Sequence, residues 1–421
     1  MNFLRFILGC FKIIFSGSRV YFAWLFFLLM MIIWGGSGYL NQLENGLIVT
    51  NMRDSVSWAF YIGNFTFLVG VAAAAVMLVI PAYIYDWKPI KEIVIFGEIL
   101  AVCAVIMCIS FIVVDIGNPQ KFWHMLPGIG TMNWPASILT WDFFVLSTYF
   151  LVNLTVATYL LYCYFYKKHY NKSIVIPLVL FSIPMAVGIH TVTAFLYNAL
   201  PARPFWNSAL LAPRFLASAF CSGPAILIIL FQILRKTTKF EIKDEAIFKI
   251  AELMVYAMFI NLFFTIAELF KEFYSHTEHL LYWKYLYFGI GKNTELVVYA
   301  WSSIIMSIIA FVIFLVPKTR YNFFTLNLGA ILIYSSVYIE KGITLIIPGF
   351  TPDTLGQIYV FVPSSTEIHT AVMIFSLGFL LFTFIVKIAI EIIFEGYSID
   401  SLKIKKTKQY IDEKELTSIN N

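Results

Sequence analysis

The stretch that decides the fold lies at residues 93–114 and reads IVIFGEILAVCAVIMCISFIVV. Glu98 is its only charged residue, and a membrane-spanning helix needs about 20 mainly apolar residues. Strands of a membrane barrel would instead alternate polar and apolar residues, which this stretch does not do. Similar stretches give ten predicted spans, numbered in chain order: 20–40, 56–80, 93–114, 138–166, 173–197, 208–234, 247–272, 296–316, 323–346 and 367–393. We therefore predict an all-α polytopic membrane protein with ten transmembrane helices.

The composition excludes a water-soluble globule. Of the 421 residues, 60% are hydrophobic and 13% are charged, whereas a soluble domain has about 25% charged residues. The formal net charge of +5 is spread over short loops and the C-terminal segment, so we expect no nucleic-acid partner. The five cysteines contain no C-x-x-C pair. We therefore predict neither an iron–sulfur cluster nor a metal site in this chain.

Lysine and arginine are distributed unevenly between the two sides of the predicted membrane domain. They concentrate before span 1, in every second connection (as at Lys88, Lys167, Lys239 and Lys318) and after residue 397. Because basic loops tend to stay in the cytoplasm, we predict that both termini are cytoplasmic. Three regions follow: an interfacial amphipathic helix at 1–19, the transmembrane domain at 20–396 and a charged cytoplasmic tail at 397–421.

Spans 2 and 6 begin alike, which suggests an internal repeat. Asn64-Phe65 and Arg214-Phe215 each precede a stretch of small residues. Small residues let membrane helices approach closely, and many membrane folds contain such repeats. We predict two four-helix bundles, spans 2–5 and spans 6–9, with spans 1 and 10 as flanking helices.

Polar side chains gather in the predicted outer third of the membrane. A charged group at membrane depth costs about 3 kcal/mol by insertion scales, so each one is a candidate for function. A quinone needs hydrogen-bond partners for its carbonyl oxygens, an apolar channel for its tail and titratable groups for its protons. Counting the helical rise places most of the polar residues of the spans at this depth. We predict that Asn64, Asp142, His190 and Arg214 bind a quinone, and that His190, Asp142 and Glu268 are catalytic.

Helical periodicity connects two pairs of polar residues. Asp142 and Asn153 are eleven residues apart, and Asn261 and Glu268 are seven apart. Each pair therefore shares one helix face. Two helices are thus expected to present an amide deep in the membrane and a carboxylate near its outer side.

Structural interpretations stay open for the same residues. His190 is also consistent with an interhelical hydrogen bond, and Arg214 with neutralisation of Glu268 or Asp142. Amides often only join helices. Four further residues near outer helix ends are interpreted as structural: Glu340, Lys341, Glu367 and His369.

Two carboxylates lie near the cytoplasmic ends of their predicted helices. Glu98 in span 3 and Glu252 in span 7 are each about 8 Å inside the helix end by the same helical rise. We predict that they begin a proton path towards the outer cluster. The alternative is that each side chain extends to the water of the headgroup layer.

Four stretches resemble one family of membrane proteins. Residues 113–123, VVDIGNPQKFW, resemble the aspartate-x-glycine-x-proline signature of the NrfD-like family, the membrane subunits of polysulfide reductases (PsrC). Residues 54–58 with 61–72, 189–197 and 212–220 resemble its ten-helix branch DsrP, the membrane subunit of the sulfite-reduction-associated DsrMKJOP complex. Lys121 stands where many relatives have arginine, so a bidentate contact is lost there.

The resemblance implies a quinone-interacting subunit of a respiratory complex in the bacterial cytoplasmic (inner) membrane. Such a subunit exchanges electrons between a quinone, here menaquinone, and an external ferredoxin-like iron–sulfur subunit, alongside further membrane and cytochrome subunits. The link would be to dissimilatory sulfur metabolism. We expect the partner to dock over the outer loops, at Asp115, Gly117, Pro119 and Lys121.

Other classes of function and cofactor are weighed against this one. A haem with two histidine ligands needs imidazoles that face each other at similar depth. Only His190 and His369 come near that condition, so we favour quinone over haem. A secondary transporter with an acidic site near the outer face is one alternative function. A purely structural anchor for redox partners is another.

Overall fold

The computed structural model describes residues 2–126, 128–238, 240–277 and 279–401, without the side chain of Ala74. In these residues, ten helices are long and apolar enough to cross a membrane: Arg19–Asn45, Phe60–Ile84, Val94–Asp115, Ile138–Phe165, Lys172–Asn198, Leu211–Thr237, Asp244–Ser275, Glu295–Leu315, Phe323–Gly349 and Ser365–Phe394. They are spans 1 to 10 from here on. The predicted all-α polytopic fold is confirmed. Lys239 and the tail from residue 402 onward, which the charge pattern included, lie outside the described residues.

Span 2 begins and ends later than predicted, at Phe60 and Ile84 instead of 56 and 80. Before it, Trp58 packs its ring against Trp206 and Phe350 at one end of the helices. At its other end, the helix continues past Pro81 in a π turn at Ile80–Ile84. Hydropathy predicts neither the ring packing before the helix nor the π turn at its end, because both consist of apolar residues.

Several spans begin at a polar capping residue. The side chains of Ser18, Asn171, Asn322 and Ser364 each accept a hydrogen bond from a backbone N–H of the first turn. Ser364 and Glu367 form a reciprocal capping box, which satisfies two otherwise unpaired donors. The predicted position of Glu367 at a helix start is confirmed.

The spans assemble as two four-helix bundles. In the first bundle, spans 2, 3, 4 and 5 pack in a ring, and in the second bundle spans 6, 7, 8 and 9 do the same. Span 2 packs against spans 6 and 9, and span 5 packs against span 6, so these four helices form the junction. Span 10 packs between spans 1 and 3. The predicted arrangement of two bundles and two flanking helices is confirmed.

Small residues bring the helices of the junction together. A Cβ atom on Gly63 of span 2 would lie 2.2 Å from the carbonyl oxygen of Gly342 in span 9, so no larger residue fits there. Gly70 faces span 6 more loosely, where a Cβ atom would lie 3.6 Å from Oγ of Ser222. The small-residue stretches of spans 2 and 6 therefore meet each other, as their likeness suggested.

The N-terminal helix Asn2–Ile14 packs on spans 4 and 10. Phe6 contacts the rings of Tyr162 and Phe165, while Leu4 and Leu8 on the other face are exposed. Lys167 pairs with Asp400 at 3.0 Å on the same side of the molecule. We call this side the terminal end, and the opposite side, with the connections at 116–137, 276–294 and 350–364, the long-loop end.

Candidate functional site

Arg214 is the centre of a buried ion network in the second bundle. Its Nη1 lies 2.6 Å from Oε2 of Glu268, and its Nε donates to Oε1 of Glu340 at 3.0 Å. Lys341 Nζ lies 3.4 Å from the same Glu340 oxygen. None of the four residues is more than 9% exposed. The two positive and two negative charges balance each other, as burial away from water requires.

A small polar cavity lies beside this network. It has a volume of about 30 Å³, room for about two water molecules and too little for a quinone ring. Oδ1 of Asn261 has no hydrogen-bond partner among the described residues and lies at this cavity. Tyr287, in the short helix Leu280–Phe288 outside the spans, also lines it, and burial raises its pKa to about 12. The lining also includes five hydroxyl residues, together with apolar side chains: Thr265, Ser303, Ser307, Ser336 and Thr344.

In the first bundle, spans 4 and 5 each carry a buried polar atom without a partner among the described residues. Asp142 in span 4 accepts a hydrogen bond of 2.7 Å from Thr193 on Oδ1, while its Oδ2 has no partner among the described residues. His190 lies one turn before Thr193 in span 5, and its Nδ1 lies 2.8 Å from the carbonyl oxygen of Ala186. Its Nε2 is unpartnered within the same described part. Asp142 and His190 are each 1% exposed.

Asn64 is at the junction of the bundles. Its Oδ1 accepts a hydrogen bond of 3.0 Å from Tyr338 of span 9, and its Nδ2 donates to the carbonyl oxygen of Phe60. Two residues further on, Thr66 is hydrogen-bonded to Tyr197 of span 5. The predicted cluster is therefore divided: Asn64, Asp142 and His190 belong to the first bundle, and Arg214 and Glu268 to the second.

Glu340 and Lys341 connect these two groups, a position that the sequence pattern did not indicate. They are 8% and 4% exposed, so they are buried within the protein. Span 9 forms a π turn at Glu340–Thr344, and such turns are often found at functional sites. An adjacent pair of opposite charges within an apolar stretch was the only available signal. It did not reveal that Arg214 would neutralise Glu340.

The periodicity predictions for the amides are confirmed. Asn153 is buried on the same face of span 4 as Asp142, and Asn261 is buried on the same face of span 7 as Glu268. Asn153 donates to the carbonyl oxygen of Tyr149 in its own helix at 2.8 Å. This hydrogen bond lies within span 4 and does not link it to another helix.

The aspartate signature forms the end of span 3 and the turn that follows. Asp115 is the last residue of the helix, with Oδ1 unpartnered among the described residues and with Glu367 close enough to interact electrostatically. Gly117 has a φ of +78°, a conformation that favours glycine. Pro119 begins the short helix Pro119–Met125, which carries Lys121 exposed at the long-loop end. The signature thus joins a buried carboxylate to an exposed loop.

Of the two carboxylates proposed for a proton path, only Glu98 is buried. It is 2% exposed, and its Oε2 has no partner among the described residues. Tyr149 of span 4 is close enough to interact with it electrostatically, and lies two turns from Asp142 on the same helix face. Glu252 is partly exposed and pairs with Lys249 at 3.1 Å. The structure does not bring Glu98 and Glu252 together.

His369 lies apart from His190. It is in span 10, where its ring contacts Trp34 of span 1 with centroids 4.2 Å apart. His190 faces the interior of the first bundle, on span 5. The two imidazoles therefore occupy different helix contacts and do not face each other.

The fold and the buried polar groups define an integral membrane protein of two four-helix bundles. The family model described as "Polysulphide reductase, NrfD" matches residues 48–352. The chain belongs to this family, as the resemblance indicated. The matched region begins before span 2 and ends after span 9, so it contains both bundles and every predicted site residue.

Three relatives are similar to the chain. The Hdr-like menaquinol oxidoreductase integral membrane subunit of Archaeoglobus fulgidus is 25% identical over 407 residues, which are 91% of this chain and 99% of the relative. A selenate reductase subunit of Mesobacillus selenatarsenatis is 23% identical over 294 residues, 62% of this chain and 67% of the relative. A putative dimethyl sulfoxide reductase membrane subunit of Halobacterium salinarum is 22% identical over 277 residues, 62% of each chain.

Proposed function

We propose that this chain is the quinone-interacting membrane subunit of an electron-transfer complex, with the quinone head group held between Asp142 and His190. The observation that carries the proposal is a pair of buried atoms without partners among the described residues, Oδ2 of Asp142 and Nε2 of His190. Asp142 is bonded to Thr193, one turn after His190 on span 5. A buried polar atom without a partner is costly, and a ligand that supplies the partner removes the cost. The relative named a menaquinol oxidoreductase subunit matches over nearly its whole length and supports menaquinone as the quinone.

The hydrogen-bonding groups of Asp142 and His190 fit a quinone. A carbonyl oxygen accepts a hydrogen bond and a quinol hydroxyl donates one, while a neutral imidazole nitrogen or a carboxyl group can act in either direction. Tyr197, which is buried two turns from His190 and near enough to Asp142 for an electrostatic interaction, provides an aromatic ring beside the pair. When bound, the quinone supplies the redox chemistry, in which quinol gives up two electrons and two protons.

The residues of the chain would hold the head group and handle its protons. Thr193 fixes the orientation of Asp142 through Oδ1, which leaves Oδ2 as the atom that takes up or delivers a proton. The hydrogen bond at Nδ1 fixes the ring of His190 and turns Nε2 inward. Glu98 is the next titratable group towards the terminal end, and we include it as the start of a proton path by way of Tyr149.

Arg214, Glu268 and Asn64 have a different role in this proposal from the one first predicted. Arg214 and Glu268 are ion-paired with each other, and Asn64 has partners for both of its side-chain atoms. We assign them to positioning: they fix spans 2, 6 and 9 around the site. Asn64 acts through Tyr338, and Arg214 and Glu268 act through Glu340.

We further propose that the long-loop end faces outward and binds an iron–sulfur subunit that exchanges electrons with the quinone. The basic residues of the sequence support this orientation. Exposed Lys121 and Trp123 on the loop after Asp115 provide the docking surface, with Asp115, Gly117 and Pro119 shaping its base. The proposal also includes further membrane and cytochrome subunits and a location in a bacterial cytoplasmic membrane. Finally, it assigns the chain to the DsrP branch, with its link to sulfur metabolism.

One experiment separates this proposal from its alternatives. The chain is purified with the proteins bound to it, and the quinone and haem content and the rate of quinol-linked electron transfer are measured. We expect bound quinone and a quinol-dependent rate. A purely structural anchor would give neither, and a secondary transporter would instead give ion- or substrate-driven uptake in vesicles without quinol.

A further inference from the structure

The π turn of span 9 places two neighbouring charges at the junction of the bundles. Successive residues of a helix point about 100° apart, and the turn at Glu340–Thr344 lies where Gly342 packs on Gly63 of span 2. Glu340 faces the second bundle, where it accepts from Nε of Arg214 at 3.0 Å and lines the cavity. Lys341 faces the junction with the first bundle.

The surroundings of Lys341 lead to the proposed quinone site. Its Nζ lies 4.0 Å from the ring centroid of Phe215 in span 6. That ring contacts Tyr197 of span 5, with centroids 6.2 Å apart, and Tyr197 lies two turns from His190. The ammonium is also near enough to the imidazole of His190 for an electrostatic interaction.

The ion network does not occupy all the hydrogen-bond donors of the Lys341 ammonium. Its 3.4 Å separation from Oε1 of Glu340 is long for a charged hydrogen bond. The same oxygen also accepts from Arg214, at 3.0 Å. A lysine has three donors, so this group retains the capacity to donate towards the first bundle.

We propose that Lys341 supplies the positive charge of the quinone-binding site, where Glu340, Phe215 and the π turn hold it. The inference rests on the proposed function and adds a residue to it. A buried ammonium favours the ligand oxygen that accepts most strongly, because the ammonium is a donor only. Lys341 therefore favours the oxidised quinone, with its carbonyl oxygens, over the quinol.

The test measures binding of dimethylnaphthoquinone, the menaquinone head group without its tail, and of its reduced form. The full-length chain in lipid nanodiscs is compared with Lys341→Met, Lys341→Arg and His190→Ala. Lys387→Met is the matched control, because Lys387 Nζ also lies over an aromatic ring, 4.2 Å from that of Tyr21, but near the terminal end of span 10. Thermal melting shows whether each variant is folded.

We expect Lys341→Met to weaken binding of the oxidised form about tenfold, as the loss of one charged hydrogen bond implies, and the reduced form less. Lys341→Arg should retain most of the affinity, and Lys387→Met should bind as the wild type does. If Lys341→Met does not fold, Lys341→Gln, which keeps a donor without the charge, should show the same loss of preference for the oxidised form.

Three results would overturn the inference, and they can be told apart. Unchanged binding in Lys341→Met or Lys341→Gln, together with lost binding in His190→Ala, would remove Lys341 from the site but leave the proposed function. The absence of binding to the wild-type chain would remove both. An equal loss for oxidised and reduced forms, not restored by arginine, would assign Lys341 to packing alone.

Discussion

Thr193 of span 5 donates a hydrogen bond of 2.7 Å to Oδ1 of Asp142 in span 4. The bond joins two helices of the first bundle and fixes the carboxylate in one orientation. Oδ2 of Asp142 is then held next to the turn of span 5 that carries His190. Both side chains are buried, so their positions are set by the protein before any ligand arrives.

The first prediction concerns this pair of residues. Asp142→Asn and His190→Ala should each leave assembly of the complex intact and reduce quinol-linked electron transfer at least about tenfold, because each removes an acid–base group. The rate is measured in membranes with a quinol analogue. Asn153→Ala is the control on the same face of span 4, since Asn153 donates only to its own helix. Wild-type rates in both variants would reassign the pair to packing.

The second prediction concerns the ion network. Arg214→Met leaves Glu268 and Glu340 buried without their main partner, and should lower the free energy of unfolding by about 3–5 kcal/mol. Arg235→Met is the matched control, because Arg235 pairs with Asp244 at the partly exposed terminal end of span 6. It should change the same quantity by less than about 1 kcal/mol. Equal stability of the two variants in denaturant titrations would contradict a structural role for the network.

The third prediction concerns the close approach of spans 2 and 9. Gly63→Ala places a Cβ atom 2.2 Å from the carbonyl oxygen of Gly342, so the helices must separate, at a cost of about 1–3 kcal/mol. Gly70→Ala is the control, because its Cβ atom would meet Ser222 at an ordinary distance of 3.6 Å. Thermal melting should therefore show a lower Tm for Gly63→Ala only. Similar Tm values would mean that the junction is not tightly packed.

The fourth prediction concerns the long-loop end. Lys121 is exposed, so trypsin should cleave the loop at 115–137 in the isolated chain and much more slowly when the iron–sulfur partner is bound. Lys167 at the terminal end has 62% of its side chain exposed and serves as the control site. Its cleavage should be the same in both samples. Equal cleavage at Lys121 with and without the partner would place the docking surface elsewhere.

The fold could be predicted almost completely from the sequence, because the membrane imposes simple requirements. A span must be long, apolar and helical, so hydropathy found all ten spans with ends within a few residues. The likeness of Asn64-Phe65 to Arg214-Phe215 and the small residues near Gly70 indicated the two bundles. In the structure, spans 2 and 6 pack against each other through these small residues.

For the candidate site, the sequence predicts how deep each polar residue lies along its helix. It does not predict which neighbouring helix each side chain faces. The helical rise placed Arg214 at the level of His190, but the arginine turns towards the second bundle and pairs with Glu268 and Glu340. Which neighbour a side chain faces depends on how the helices pack, and a single sequence does not contain that information. The π turn at Glu340 changes the helical spacing locally, so periodicity could not predict where Lys341 points.

The central claim is that the quinone head group lies between Asp142 and His190, and photolabelling tests it most directly. An azido derivative of dimethylnaphthoquinone is activated by light in the purified complex, and the labelled peptides are identified by mass spectrometry. We predict labels in spans 4 and 5, removed by an excess of the unmodified compound. Labels confined to spans 7 and 8 around the polar cavity, or labels that do not respond to competition, would contradict the claim.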